Sequence, residues 1–340
     1  MGVPAAPLEL PPLPAEASVA VVIPARWAER TLPGCLRSIL PQLRPGDELV
    51  VVAADGPSAA AARSVGDDRV RVVDNPDRTI APALNRGVAA TDRPVIVRAD
   101  AQSRLPDGYR DRVVELLVET GAAVAGGRQV PVATEGFAVS VAAAMASPLG
   151  HGGARYRSGS AGGPVDTVYL GAFRRDVLEQ VGGFDERFLT NEDAELNERI
   201  RRAGGTVWLD SALAVTYLPR GDVGSLWRQF RGYGQGRART AVRHPGSLRP
   251  RQLAAPALVV ALVGSLALVP WTFGPFALLV GGYVGAVLLG AGAATRGGPA
   301  RTPSVALALM TMHLAWGAGF LAARLRPGGP LGGRAARVRR

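Results

Sequence analysis

From residue 223 to residue 340 the chain carries 15 arginines and no acidic residue, and the arginines punctuate three long apolar stretches. These stretches run over about 253–269, 274–294 and 304–323, and each approaches the ~20 residues that an α-helix needs to span a bilayer core. Residues 1–222 differ sharply. They hold all 28 acidic residues and 24 arginines, a net charge of −4, against +15 for the remainder. An ordinary globular front part is thus followed by an apolar, basic back part. Anionic lipids attract arginine by about 1 kcal/mol per residue near the surface, so the asymmetry predicts a membrane partner. Nucleic acid, the other usual partner of a basic chain, is not expected. The arginines flank apolar runs and do not line a polar, aromatic-studded domain.

The positive-inside rule leaves the number of crossings open. No basic n-region followed by an apolar segment opens the chain, so the front domain is expected in the cytoplasm. Three spans then put the loop at 295–303, with Arg296 and Arg301, inside, but the arginine-rich tail outside. Two spans, with one stretch re-entrant or interfacial, keep the tail inside. Residues 223–241 read as an amphipathic helix, with Leu226, Trp227, Phe230 and Tyr233 on its apolar side, suited to the headgroup plane. The single cysteine, Cys35, excludes an intrachain disulfide.

The front part alternates strand and helix. Val19–Ile23, Glu48–Ala53, Val70–Val73 and Pro94–Arg98 are short β-branched runs. They are separated by helical patterns at 30–42, 58–65 and 80–90, with a clear amphipathic helix at 107–120. Such alternation predicts an α/β fold with a mainly parallel sheet covered by helices on both faces. In open sheets of this kind, ligands bind beyond the carboxyl ends of the strands. Those ends carry Pro24-Ala25-Arg26, Asp55-Gly56 and Asp100-Ala101-Gln102. A carboxylate fixed there can hold a divalent cation that in turn binds phosphates; it can equally cap a turn. Glu192-Asp193 opens a later helix (192–203). Acids at that position complement the helix dipole, and either can also serve as a general base. Residues 207–210 and 214–218 read as two further short strands, and 127–165 is too rich in Gly and Ser to assign.

Seven segments occur in a telling order: Val21-Val22-Ile23-Pro24-Ala25-Arg26, Asp55-Gly56-Pro57-Ser58, Asp74-Asn75-Pro76, Ala83-Leu84-Asn85-Arg86-Gly87, Arg98-Ala99-Asp100-Ala101-Gln102, Gly182-Gly183-Phe184-Asp185 and Asn191-Glu192-Asp193-Ala194-Glu195-Leu196. Together they resemble glycosyltransferase family 2, and within it the membrane-associated enzymes of succinoglycan-type exopolysaccharide synthesis. The resemblance implies a GT-A (nucleotide-diphospho-sugar transferase) fold, Rossmann-like, followed by a C-terminal α-helical transmembrane segment. It implies a nucleotide-diphosphate sugar donor, usually UDP-linked, with Mg2+ or Mn2+. It further implies inversion at the anomeric carbon, and a polyprenyl-linked or polysaccharide acceptor at the cytoplasmic face of the membrane. Carried over residue by residue, Asp193 is the base with Glu192 beside it. Pro24, Arg26, Asp55, Asn85, Arg86 and Asp100 lie against the donor, and Asp100 with Gln102 faces the metal. Arg231 and Arg237, in a segment similar to the family's arginine- and tyrosine-bearing helix, are candidates for the leaving diphosphate.

Three departures stand out. Trp27-Ala28 precede Glu29 where Asn-Glu is usual, Gln102 replaces an acid or histidine, and the segment after Asp55 is Ala-rich. They motivate an alternative, a catalytically impaired family-2 protein that acts as a binding partner in a polysaccharide assembly complex. The implied organisation is a loose tail (1–17), a GT-A catalytic domain (18–222), an amphipathic interfacial helix and linker (223–252), a multi-pass membrane region with about three transmembrane helices (253–325) and an arginine-rich tail (326–340).

Overall fold

The computed structural model describes residues 7–158, 162–295 and 298–325. The extreme N-terminus, Arg296 and the arginine-rich tail from 326 lie outside the described residues. In chain order the elements are β1 (Val19–Ala25), α1 (Leu32–Ile39), β2 (Glu48–Ala53), α2 (Gly56–Arg63), β3 (Val70–Asp74), α3 (Ile80–Ala89), β4 (Val95–Arg98), β5 (Ser103–Arg104), α4 (Tyr109–Thr120) and β6 (Val124–Pro131). Then come α5 (Gly136–Ala146), α6 (Pro148–His151), α7 (Arg155–Ser158), β7 (Gly163–Pro164), β8 (Tyr169–Arg174), α8 (Arg175–Val181), α9 (Glu192–Arg202) and β9 (Val207–Tyr217). The chain finishes with α10 (Val223–Arg243), α11 (Ala254–Ala267), α12 (Gly274–Ala294) and α13 (Thr302–Leu325). The described residues form two compact units, 7–130 with 162–217 and 131–158 with 218–325.

The first unit is the α/β fold. Its nine-stranded sheet runs β3-β2-β1-β4-β8-β6-β9-β5, with β7 alongside β9. β1, β2 and β4 are continuous apolar runs buried on both faces, and with β3 they pair in parallel, Val22 lying opposite Val50 on one side and Arg98 on the other. This is the half of the sheet that the alternating pattern predicts. The other half is antiparallel: β8 pairs with both β4 and β6, and β9 with β5 and β7. The sheet is therefore mixed and more extended than the four alternations indicate. β9 is one strand where the sequence suggests two. The polar Asp210-Ser211 breaks the apolar run, but the Asp210 carboxylate accepts from Arg112 Nε (2.9 Å) and Ala212 N (2.9 Å), so the strand continues through it.

Close packing explains one motif glycine. A Cβ on Gly87 would overlap Val22 Cγ1, so only glycine lets α3 lie this near the sheet. A buried charge pair fixes the entry to β1. Arg110 Nε and Nη2 donate to the two oxygens of Asp47 (2.9 Å each), and Arg110 Nη2 also donates to the Ala17 carbonyl (2.9 Å). Val19 N donates to Asp47 as well (2.8 Å).

The second unit is helical and centres on α13. The segment α11 with the residues just before it (Pro250–Ala267), α12 and α13 are each long and apolar enough to cross a membrane, with mean hydropathies of 1.4, 1.9 and 1.6. Much of α13 is buried by its neighbours, whereas α11 and α12 present apolar side chains such as Val263, Leu278 and Leu289 outward. Exposed apolar surface of this extent marks a partner-facing or lipid-facing area. The amphipathic segment at 223–241 forms α10. Its apolar residues Leu226 and Phe230 are buried, and α10 meets α13 through glycines: a Cβ on Gly234 would overlap the Trp316 carbonyl, and one on Gly319 the Arg231 carbonyl. Small residues that let helix backbones touch are typical of helix pairs in membranes. Inside α13, His313 uses both ring nitrogens, on the Tyr283 hydroxyl (3.1 Å) and the Leu149 carbonyl (3.0 Å).

Candidate active site

Parallel pairing of β1, β2 and β4 brings three carboxyl ends of strands to one edge of the first unit. Ala25 is in register with Ala53, so the residues that follow each strand meet. Asp55 caps α2: one oxygen accepts from Ser58 N (2.8 Å) and the other from Trp27 N (2.7 Å). Burial alone would raise the pKa of Asp55. The hydrogen bonds from Trp27 and Ser58 outweigh it and hold the carboxyl below the usual carboxylate range. The capping reading of Asp55 is therefore realised.

Pro24 is half-buried near the end of β1, Ala25 after it is buried, and Arg26 is exposed beyond them. The Arg26 guanidinium lies 4.0 Å from the Trp27 ring centroid, and its Nη1 donates to the Arg78 carbonyl (3.0 Å). Trp27 and Arg78 both adopt left-handed backbone angles, at φ 50° and 57°. For non-glycine residues such angles cost about 1–3 kcal/mol, and they cluster at ligand sites.

Asp100 follows β4 in a tight turn. Its carbonyl accepts from Ser103 N (2.8 Å), Ser103 Oγ (2.7 Å) and Cys35 Sγ (3.4 Å), so the backbone under the carboxylate is fixed. Cys35 is buried, and burial pushes its thiol up to about 12. Gln102 is half-buried beside this turn. Among the described residues no group of three or more His, Cys, Asp or Glu side chains is arranged to hold a metal ion. Asp100 and Gln102 offer one carboxylate and one amide oxygen. That small donor set fits an ion of the Mg2+ type, which keeps several waters and is completed by substrate phosphates.

The Glu192-Asp193 pair opens α9, where the helix dipole favours anions. The two acids differ in surroundings. Glu192 is buried, and its carboxylate lies 2.9 Å from Arg98 Nη1. Burial raises the pKa of Glu192; Arg98 opposes that shift and Asp193 adds to it. Asp193 is half-buried, with one oxygen accepting from Ala194 N (2.7 Å). Of the pair, Asp193 is the more exposed.

Motif order alone assigns Arg98 no role. Its guanidinium is buried and lies 3.2 Å from Asp100 Oδ1 through Nη2, and it faces Glu192 through Nη1. Burial would lower its pKa, but Asp100, Glu192 and Asp193 outweigh this and raise it. The signal was present in the sequence. A charged residue that ends a strand of buried valines must find partners, because buried arginine is rare unless paired.

The remaining predicted residues are placed as follows. Asn85 joins α3 to the Gly-Gly-Phe loop: its Nδ2 donates to the Phe184 carbonyl (2.9 Å) and its Oδ1 accepts from Phe184 N (2.9 Å). Arg86 pairs with Asp77 (2.7 Å) at the surface. Arg231 and Arg237 belong to the second unit. The Arg237 guanidinium is tied to the turn that precedes α11, with Nε on Gln252 Oε1 (2.9 Å) and Nη2 on Ser247 Oγ (3.1 Å).

A mixed sheet whose parallel strands β2 and β4 are followed by Asp55 and Asp100, with a helix that opens on two acids, has the architecture of a GT-A fold. The chain belongs to glycosyltransferase family 2. The family described as "Glycosyltransferase like family 2" matches residues 14–234. Among characterised relatives, the succinoglycan biosynthesis protein ExoA of Rhizobium meliloti (strain 1021) is 34% identical over 311 residues, covering 88% of this chain and 93% of that protein. Among solved structures, the mannosyltransferase PcManGT from Pyrobaculum calidifontis, in complex with GDP-Man and Mn2+, superposes with a TM-score of 0.63 at 20% identity, covering 95% of this chain and 91% of the other. At that identity the likeness supports the fold.

Proposed function

We propose that the protein is an inverting glycosyltransferase of exopolysaccharide assembly. It moves a sugar from a nucleotide-diphosphate donor, UDP-linked, to a lipid-linked or polysaccharide acceptor at the cytoplasmic face of the membrane. The observation that carries this reading is the connection made by Arg98, which joins the strand-end carboxylate Asp100 to the acidic start of α9. The similarity to ExoA supports the polymer class, and the neighbour solved with GDP-Man and Mn2+ supports a nucleotide sugar and a divalent cation.

In this reading Asp55 binds the nucleoside, and Arg26 and Pro24 line the same edge. Asp100, with Gln102, would hold Mg2+ or Mn2+, which when bound offsets negative charge on the leaving diphosphate. Asn85 and Arg86 border the donor. Asp193 takes the proton from the acceptor hydroxyl as that oxygen attacks the anomeric carbon opposite the leaving group. Glu192, held by Arg98, supports Asp193 and stays out of the proton transfer. The three apolar helices keep the enzyme at the bilayer, which raises the effective concentration of a lipid-borne acceptor.

The test is transfer from a panel of labelled nucleotide sugars by detergent-solubilised protein, with Mg2+, Mn2+ or EDTA and a lipid extract as the acceptor source. Cation-dependent label in the lipid or polymer fraction from one donor, with an inverted anomeric configuration in the product, is the expected result. A second reading, the impaired family-2 binding protein, draws on Trp27 and Gln102 at the site edge. Saturable binding of one donor with no transfer to any acceptor would select it.

A further inference from the structure

We propose that Arg98 is a positioning residue: by pairing at once with Asp100 and Glu192, it sets the spacing between the donor-side carboxylate and the helix start that carries Asp193. The inference rests on the transferase reading above and deepens it.

The geometry supports a fixed span. Arg98 is the last residue of β4, the strand where the parallel half of the sheet meets the antiparallel half, and its backbone is in register with Val22. Ala99 N donates to the Val22 carbonyl (3.0 Å), so the root of the side chain cannot shift independently of the sheet. Its head divides between two carboxylates from distant parts of the sequence. Nε and Nη2 face the same oxygen of Asp100, at 3.4 and 3.2 Å. Nη1 lies 2.9 Å from Glu192 Oε1, yet Nη1 makes no aligned hydrogen bond, so this contact acts through charge. All three side chains are screened from solvent, with Arg98 8%, Glu192 4% and Asp100 21% exposed. Asp193 follows Glu192 directly, and the place of Glu192 against Arg98 therefore fixes the first turn of α9.

Stability alone does not account for a guanidinium here. Buried ion pairs are often no better for stability than apolar residues of the same volume, and the preceding Val95-Ile96-Val97 shows that this strand is built from such residues. The charge sits where the strand leaves the sheet and meets the carboxylates. A rate that depends on the spacing of two groups can fall by about 100-fold for a 1 Å misplacement.

The experiment compares wild type, Arg98→Lys, Glu192→Gln and the double variant as full-length protein in detergent. Each receives three measurements: thermal melting, Mn2+-dependent donor binding by titration calorimetry, and transfer kinetics. Lysine keeps the charge but cannot span two carboxylates, and glutamine keeps the shape of Glu192 without its charge. Each single variant is expected to melt as a folded protein, to bind donor within about tenfold of wild type, and to lose about 10- to 100-fold in kcat. The double variant is expected to lose no more than the worse single one, because both changes cut the same link.

The proposal is overturned by a folded Arg98→Lys protein whose kcat stays within about threefold of wild type. It is equally overturned by losses that multiply in the double variant, or by losses that only track the folded fraction. Should Arg98→Lys not fold, Glu192→Gln decides alone: unchanged kcat in that folded variant removes the link. If the wild type transfers and the variants match it, only this inference falls; if the wild type transfers from no donor, the transferase reading falls and takes this inference with it.

Discussion

The charge clamp at the start of β1 gives a prediction whose size follows from its surroundings. Asp47 accepts four N–H groups: Val19 N (2.8 Å) and Arg110 Nη2 (2.9 Å) on one oxygen, Arg44 N (2.8 Å) and Arg110 Nε (2.9 Å) on the other. Its side chain is 0% exposed and that of Arg110 is 6% exposed. Asp47→Asn leaves one acceptor oxygen for these donors and turns an NH2 group toward the others. It also strips Arg110 of its buried counter-charge. Breaking such a pair costs about 3–5 kcal/mol, a large share of the roughly 5–15 kcal/mol that holds a domain together. For a unit of this size, each kcal/mol lowers the melting temperature by about 2–4 °C, so a drop of roughly 6–20 °C is expected. The assay is thermal unfolding of the detergent-solubilised protein followed by circular dichroism. Arg69→Ala serves as control, since its pair with Asp67 at 2.7 Å has 43% and 25% exposed side chains and exposed pairs contribute about 0–1 kcal/mol. An Asp47→Asn shift no larger than that of Arg69→Ala would refute the argument from burial.

Three further outcomes follow from other parts of the molecule. Gly234→Leu should loosen α10 from α13, because the new side chain meets the Trp316 carbonyl; faster proteolysis within 218–250 in membranes would show it, and wild-type resistance would count against the close packing. Cys35, with its thiol raised to about 12 by burial, should resist iodoacetamide at pH 8 in the folded protein and react once guanidinium is added. The Asp55 carboxyl is held below its ordinary value by the Trp27 and Ser58 N–H groups, so its contribution to stability is present above about pH 4 and is lost as the pH falls through the lowered value. The melting-temperature gap between wild type and Asp55→Ala should accordingly shrink in acid, and a gap that persists unchanged to pH 2.5 would contradict the hydrogen-bonding account.

How much of this was legible in the sequence depended on the physics of each part. The parallel half of the sheet was readable because strands such as Val19–Ala25 and Glu48–Ala53 are buried on both faces and appear as unbroken apolar runs. The antiparallel half was readable only as separate short strands, at 207–210 and 214–218; their union into one β9 through Asp210 and the pairing of β8 with β4 and β6 depend on contacts between distant segments. Helix α5 was hidden in a Gly- and Ser-rich region, since an alanine-rich helix with apolar residues all round shows no periodicity. The three apolar helices were plain from length and composition alone.

For the candidate site, motif order brought the acids to notice. The capping bonds of Asp55, the use of Asn85 as a tie to the Gly-Gly-Phe loop and the span made by Arg98 depend on contacts between distant segments, which spacing along the chain does not encode. The amphipathicity of α10 reads in the sequence as a helix at the headgroup plane, and its packing against a partner helix is a contact that the sequence pattern does not show. Glycines 234 and 319 supply the contact with α13.

The central claim is that Asp193, at the open end of the Glu192-Asp193 pair, takes the proton from the acceptor hydroxyl. The most direct test is single-turnover transfer from the preferred nucleotide sugar by wild type and by an Asp193→Asn protein shown by melting and by donor titration to be folded and loaded. The account predicts a loss of about 10²–10⁴-fold in the transfer rate with donor affinity nearly unchanged. Transfer by the folded, donor-loaded Asp193→Asn protein at the wild-type rate would contradict it.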